Sequence, residues 1–378
     1  MKKLILTLFI SSQALAGIPN LPAISETTPI PAGHEETDDA AIWVNQSSPA
    51  KSLVLGVSKT KLIDGGQAGL GVYDLAGKQI QYFQYDRLNN VDIRGNIAAA
   101  SNRDKKSITL FSVHAKGVTY LRDIKLPITE EPYGFCLQEN NAGKLYGWLP
   151  MKSGLLYKVD IANNNFKVID TRSFLTPEQD AHLISLIIDD VMFEKDLPKD
   201  EMRAELKEEI SDRFQLEGCV SDDENNFLYL GMENLGVWKV SLKEKLEAKL
   251  IFKVQKSKSD PELNDGVTRV TNDIEGITIY KTGKKKGAII VSVQGLNEYA
   301  VLDRQSDKYL GSFTVNLGKD AVTETDGLTV TSQYLGPNFP DGLAVFHDHH
   351  NTNDQGVILN GNYKYMDMRH FLRHWPQI

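Results

Sequence analysis

Cysteine is nearly absent: Cys136 and Cys219 are the only two in 378 residues. That scarcity excludes a disulfide-dense scaffold and a thiolate zinc site. Nor is there an excess of basic charge, since 42 Lys and Arg stand against 50 Asp and Glu, a formal charge of −8. A field able to neutralise the phosphates of a nucleic acid is therefore missing, and no nucleic-acid partner is expected. No apolar run reaches the roughly 18 residues of a membrane span, so no membrane partner is expected either. The chain also lacks an EF-hand loop and a Gly-x-Ser-x-Gly elbow. His347, His349 and His350 crowd one late segment and are able to ligate a metal; an exposed loop is the simpler reading.

What the chain does have is strand signal. Short apolar runs such as Leu53 to Val57, Ile108 to Val113 and Ala288 to Ser292 alternate with turn clusters such as Asp74 to Gly77 and Asp222 to Asn226. Residues 1–16 join a cationic start, a short apolar core and Ala14-Leu15-Ala16, the pattern of a removable export signal. A periplasmic or secreted product is expected. Residues 17–33, with four prolines, look like an extended leader, and residues 34–378 form one domain. Its one helical stretch, 176–214, has Leu183, Ile184, Leu186 and Ile187, then Met202, Leu206 and Ile210, at helical spacing on either side of Pro198. It reads as an insertion, a structural cap rather than a lid.

The strands repeat with a common opening. An acid or amide precedes a Gly/Ala-apolar strand at Asp38-Asp39, Asn89-Asn90, Glu131, Glu217, Asp273/Glu275 and Asp326. These openings recur roughly every 40 to 60 residues, the spacing of four-stranded propeller blades. The expected fold is all-β, a six-bladed β-propeller with the helical insertion between blades three and four. Six openings around one axis would gather carboxylates into a polyanionic pocket, which calls for bound cations such as Ca²⁺ with its preference for hard oxygens. Asp38, Asp39, Asp273, Glu275 and Asp326 meet that need, with Glu217, Glu233 and Asp320 as further candidates. Lys59, Arg103 and Lys152 end the second strands of three successive units, so they share the acids' rim. Cations beside bound metal suit a substrate with several phosphates. Cys136 and Cys219 hold nearly the same place in consecutive repeats, and either a disulfide or two buried thiols fits them.

Thr37-Asp38-Asp39-Ala40-Ala41-Ile42-Trp43 and Leu88-Asn89-Asn90-Val91-Asp92-Ile93-Arg94 closely resemble the paired signatures of the β-propeller phytases. The likeness continues through Ala98 to Arg103, Tyr133-Gly134-Phe135, Glu217-Gly218, Asn272 to Gly276, Ser292 to Gly295, Thr325 to Gly327 and Leu335-Gly336-Pro337. The resemblance implies calcium-dependent hydrolysis of phytate by metal-activated water, with no covalent enzyme intermediate, in a monomer binding several Ca²⁺. It also implies calcium ligation by Asp38, Asp39, Glu217, Glu233, Asp273, Glu275, Asp320 and Asp326. The carbonyl of Val91 and the side chain of Asn351 would serve further calcium sites. Asp39, Glu217, Glu233 and Asp273 would be catalytic, and Lys59, Arg103, Tyr133 and Lys152 would contact substrate phosphate. The chain departs from the family pattern at Ala40 (usually proline), at Glu35, and at Thr60, where a second lysine is common, with Lys61 next to it. Two other readings compete: a calcium propeller hydrolysing lactones or phosphotriesters, and a non-catalytic propeller binding inositol phosphates or a protein. A neutral lactone has no use for the three cations, and a mere binder has no need of the full acid set.

Overall fold

The second strand of each unit is mostly buried. Leu53–Ser58 and Gly287–Val293 are buried at every position, as a strand covered on both faces must be. The fourth strands, such as Gln79–Gln84 and Phe166–Asp170, are largely open to solvent. A sheet graded from a dry interior to a wet margin is a propeller blade seen from axis to rim. The computed structural model, which describes residues 17–31, 37–60, 68–193, 198–243, 246–253, 273–353 and 355–378, contains six such sheets. The expected export signal, Glu35 and Lys61 lie outside the described residues.

All six blades are antiparallel, and the first strand of each touches the first strands of both neighbours, closing the ring. These inner strands are Thr37–Trp43, Leu88–Arg94, Cys136–Glu139, Leu216–Asp222, Ile274–Lys281 and Leu328–Thr331. The six-bladed expectation therefore holds. Helices α1 (Pro177–Phe193) and α2 (Lys199–Asp212) stand between blades three and four, where the insertion was expected, and bury Leu183, Ile187 and Val191 against Met202, Leu206 and Ile210. A third helix, α3 (Met368–His374), has no forewarning in the strand pattern. Asp367 caps it by accepting from Arg369 N, and Phe371 and Trp375 bury against Phe313. Cys136 and Cys219 are joined as a disulfide, Cα to Cα 5.7 Å, tying the inner strands of blades three and four.

Blade six is composite. Its first three strands come from the end of the chain, and its fourth, Ser25–Glu26, comes from the beginning, pairing with Lys364 and Tyr365. Asn20–Pro22 adds a parallel edge to blade five at Thr314 to Asn316. The leader residues 17–31 thus take part in closing the ring. Lys364 marks the seam: its fully buried ammonium meets Glu26 at 3.1 Å, Asp348 at 2.6 Å, and Asp320. Replacing Lys364 with methionine leaves those carboxylates without a counter-charge. We expect a loss of about 3–5 kcal/mol, read from the denaturant midpoint.

Candidate active site

Four of the six inner strands, those of blades one, two, four and five, are bulged at their acid or amide openings, whereas Glu131 of blade three is half-exposed and pairs with Arg87 at 2.8 Å. Pairing jumps from Thr37/Ser58 to Ala40/Gly56, and in the same way across 89–90, 217–218 and 275–276. The extra residue leaves the ladder and turns its neighbours toward the centre. The glycines that follow the acids answer a separate demand, the close approach of adjacent blades. A Cβ on Gly134 would lie 1.9 Å from Glu217 O, one on Gly218 would lie 1.8 Å from Glu275 O, and one on Gly327 would lie 2.4 Å from Asp39 Cα. Gly218→Ala is expected to lower the unfolding free energy by about 1–3 kcal/mol or more, because the obstacle is backbone and can move only with its blade.

Around the axis the carboxylates meet across blades. Ligand oxygens of Glu217, Glu233 and Glu275, all buried, lie within 4.8 Å of one another. Asn89 Nδ2 donates to Glu217 Oε1 at 2.7 Å, and Gln215 Nε2 donates to both oxygens of Glu233 at 2.7 and 2.6 Å. Asp273 adjoins this group, its N donating to Glu233 O at 3.1 Å and its backbone held in the left-handed region at φ 70°. On the other side, Lys59 Nζ sits between Asp38 Oδ2 at 3.0 Å and Asp326 Oδ2 at 2.9 Å. Asp39 Oδ2 accepts from Val91 N at 3.1 Å, linking blades one and two. Asp39 and Val91 both line the small cavity beneath the acids.

The electrostatics follow from crowding. Burial first, then neighbouring acids, holds the carboxyls of Glu233, Glu275 and Asp39 well above the usual carboxylate range. Burial does the same to Asp38, although Lys59 opposes it. Burial would also raise Asp326, yet Lys59 and then His347 bring it below the ordinary value. The basic rim gathers over one aromatic ring: Arg103 and Lys152 stand 5.3 and 4.6 Å from the centre of Tyr133. Tyr133 in turn donates its OH to Glu233 Oε1 at 3.1 Å. Acids and cations, expected on one rim from their place in the repeat, adjoin around the axis: Lys59 pairs with Asp38 and Asp326, and Arg103 and Lys152 rest on the ring whose OH bonds Glu233.

A family model for phytases matches residues 12–191 and 199–375, nearly the whole chain. The chain belongs to the phytase family. A 3-phytase of Bacillus subtilis (strain 168) is 30% identical to it over 374 residues, covering 93% of this chain and 84% of the relative. The resemblance drawn from the paired signatures therefore holds.

Within this phytase fold, not every candidate ligand reaches the axial group. Asp320 accepts from Thr352 N at 3.0 Å and pairs with Lys364 at the ring seam. Asn351 is buried nearby, its Nδ2 donating to Asn360 O at 3.1 Å. Several residues outside the candidate set prove to hold the axial acids. Gln294 donates to Asp326 Oδ1, Gln215 spans Glu233 and Tyr133, and Asn89 supports Glu217. Gln294 was signalled: it follows the second strand of blade five, as Lys59 and Arg103 follow theirs. Gln215 had no such signal.

His347 corrects the exposed-loop reading of its segment. It is wholly buried on the second strand of blade six, where the alternation of the strand turns it inward. Its Nδ1 accepts from Asp326 N at 3.1 Å, so the proton is on Nε2, 2.7 Å from Thr37 Oγ1. Burial pushes its pKa down to about 4 and keeps the ring neutral. It is a positioning residue for Asp326.

Proposed function

We propose that this chain hydrolyses phosphate monoesters of phytate with calcium ions held among the axial carboxylates. The observation that supports this best is the shared surface of buried acids and basic residues around the axis. The donor set suits calcium: Glu217, Glu233 and Glu275 offer only hard oxygens, and Oδ1 of buried Asp38 has no hydrogen-bond donor, Oδ2 facing Lys59 alone. The Lys59 ammonium already lies between two of these carboxylates, so positive charge is accommodated there. Asp38, Asp39, Glu217, Glu233, Asp273, Glu275 and Asp326 would hold the ions, which when bound activate water and neutralise phosphoryl charge.

The residues themselves do the rest. Arg103 and Lys152, resting over Tyr133, orient one phosphate beside Glu217 and Glu233, and Lys59 takes up charge on the opposite side. A substrate with neighbouring phosphates engages both sides at once, which favours inositol polyphosphates over simple esters. Asp320 and Asn351, close to the seam that Lys364 closes, suit a calcium site with a stabilising role. The Cys136–Cys219 disulfide supports an exported, oxidised protein. Among the described residues no helix is long and apolar enough to cross a membrane.

Phosphate release is the direct test. Metal-stripped protein is given Ca²⁺ and offered phytate, an aryl phosphate or a lactone. Release from phytate restored by calcium is expected. Turnover of the lactone alone would sink the assignment, and absence of all turnover would point to a binding propeller.

A further inference from the structure

Away from the axial acids, the end of the blade-six second strand carries a cluster of different chemistry. Glu324, His349 and His350 place one ligand atom each within 4.8 Å of one another. His349 Nε2 lies 3.5 Å from Glu324 Oε2, and His350 Nδ1 lies 3.6 Å from Glu324 Oε1. Ligands of a tetrahedral ion with bonds of about 2.1 Å stand about 3.4 Å apart. The two histidine–carboxylate distances are within a few tenths of an ångström of that figure, and the two histidines present their ligand nitrogens within 4.8 Å of each other.

The cluster is also braced. His349 N donates to Thr323 O at 3.2 Å, His350 N donates to Thr323 Oγ1 at 3.1 Å, and Thr323 N donates to Asp348 Oδ1 at 3.0 Å. Glu324 N donates to Asn297 Oδ1 at 2.6 Å, and Glu324 itself occupies the left-handed region at φ 43°. For a residue with a Cβ that conformation persists only where its surroundings impose it. The three donors therefore come from two segments already fastened to each other.

We propose that Glu324, His349 and His350 form a separate binding site for a divalent d-block cation of the zinc class. Imidazole nitrogens suit zinc, copper and nickel, whereas calcium takes oxygens, so the site is chemically distinct from the axial one. The side chains of Glu324 and His350 are 51% and 43% exposed, which leaves a fourth position open to water or a small ligand. Glu324 O accepts from Asp326 N at 2.9 Å, two residues before an axial carboxylate. Occupancy consequently stiffens the backbone that presents Asp326.

The test uses the full chain saturated with Ca²⁺, so that oxygen-only sites are filled, and titrates it with Co²⁺ while visible absorption is followed. Nitrogen-ligated Co²⁺ of low coordination number shows intense visible bands that six-oxygen Co²⁺ lacks. One equivalent of bands, bleached by one equivalent of Zn²⁺, is expected. His349→Gln and His350→Gln should each abolish the bands and weaken Zn²⁺ binding at least about tenfold. His350→Gln should keep its calcium-dependent melting temperature and phosphate release, showing that the fold survives. A wild-type chain without the bands overturns the proposal, as do bands and Zn²⁺ affinity unchanged in the double variant. Neither readout depends on turnover, so failure here is separable from failure of the phytate assignment.

Discussion

Glu217→Ala should lower kcat on phytate by about a thousandfold or more, yet leave the metal-free chain at least as stable as the wild type. The two effects have opposite signs for one reason. Glu217 is one of three buried carboxylates whose oxygens lie within 4.8 Å, an arrangement that is unfavourable without cations. Removing it relieves Glu233 and Glu275, against the loss of one hydrogen bond from Asn89. In the proposed calcium-bound state the same deletion would open a coordination position next to the phosphate that Arg103 and Lys152 would hold. Metal ions contribute several kcal/mol of charge stabilisation in such reactions, and about 4 kcal/mol corresponds to a thousandfold in rate. Asp39→Ala provides the contrast: it should lose activity and also some stability, since Asp39 Oδ2 bonds Val91 N across two blades. Paired measurements of kcat and of melting temperature in chelator decide the matter. Near-normal turnover by Glu217→Ala would remove Glu217 from the reaction.

The metal-free chain should lose stability as pH rises, and calcium should cancel that loss. Burial pushes the carboxyls of Asp38 and Glu233 up to about 8 and raises Asp39 and Glu275 as well. A folded state with raised carboxyl pKa keeps protons that the unfolded chain releases near pH 4. Its stability is therefore full below about 4 and is lost as pH climbs through about 8. Asp326, lowered by Lys59, acts in the reverse sense, with stability present above about 4 and lost in acid. The raised group outnumbers it. The proposed calcium would bind the ionised forms, so its affinity should grow with pH and its stabilisation with it. Between pH 5.5 and 8 the melting temperature of metal-stripped protein should fall by on the order of 5–10 °C. The gap between calcium-bound and stripped protein should widen over the same interval. Parallel curves with and without calcium would contradict the clustering of acids as the cause.

Much of the propeller is legible in one dimension because each blade is a local unit. An acid or amide opening, a largely apolar second strand such as Gly287–Val293 and a turn cluster recur along the chain, and antiparallel neighbours in sequence are neighbours in space. The helical insertion is legible too, since 3.6-residue spacing is local. Helix α3 was not, because its apolar face is only Met368, Phe371 and Leu372 with Trp375 just beyond it, two turns in all and too short for a period to stand out.

The candidate site divides the same way. Residue type and place in the repeat suffice to put acids and cations on one rim, since every blade presents its opening to the same axis. Pairings between blades do not appear in any local pattern. Lys59 of blade one against Asp326 of blade six, Asn89 of blade two against Glu217 of blade four, Tyr133 of blade three against Glu233 of blade four, and Lys364 against Asp320 at the seam each join residues brought together by closure of the ring. By itself, then, the sequence determined the blade, its repetition and the chemistry at each opening, which are set by periodicity and residue type. Ring closure decided that Glu275 joins Glu217 and Glu233, that Asp326 finds Lys59, and which glycines have no room for a Cβ. Those depend on distances across the axis, which no single blade contains.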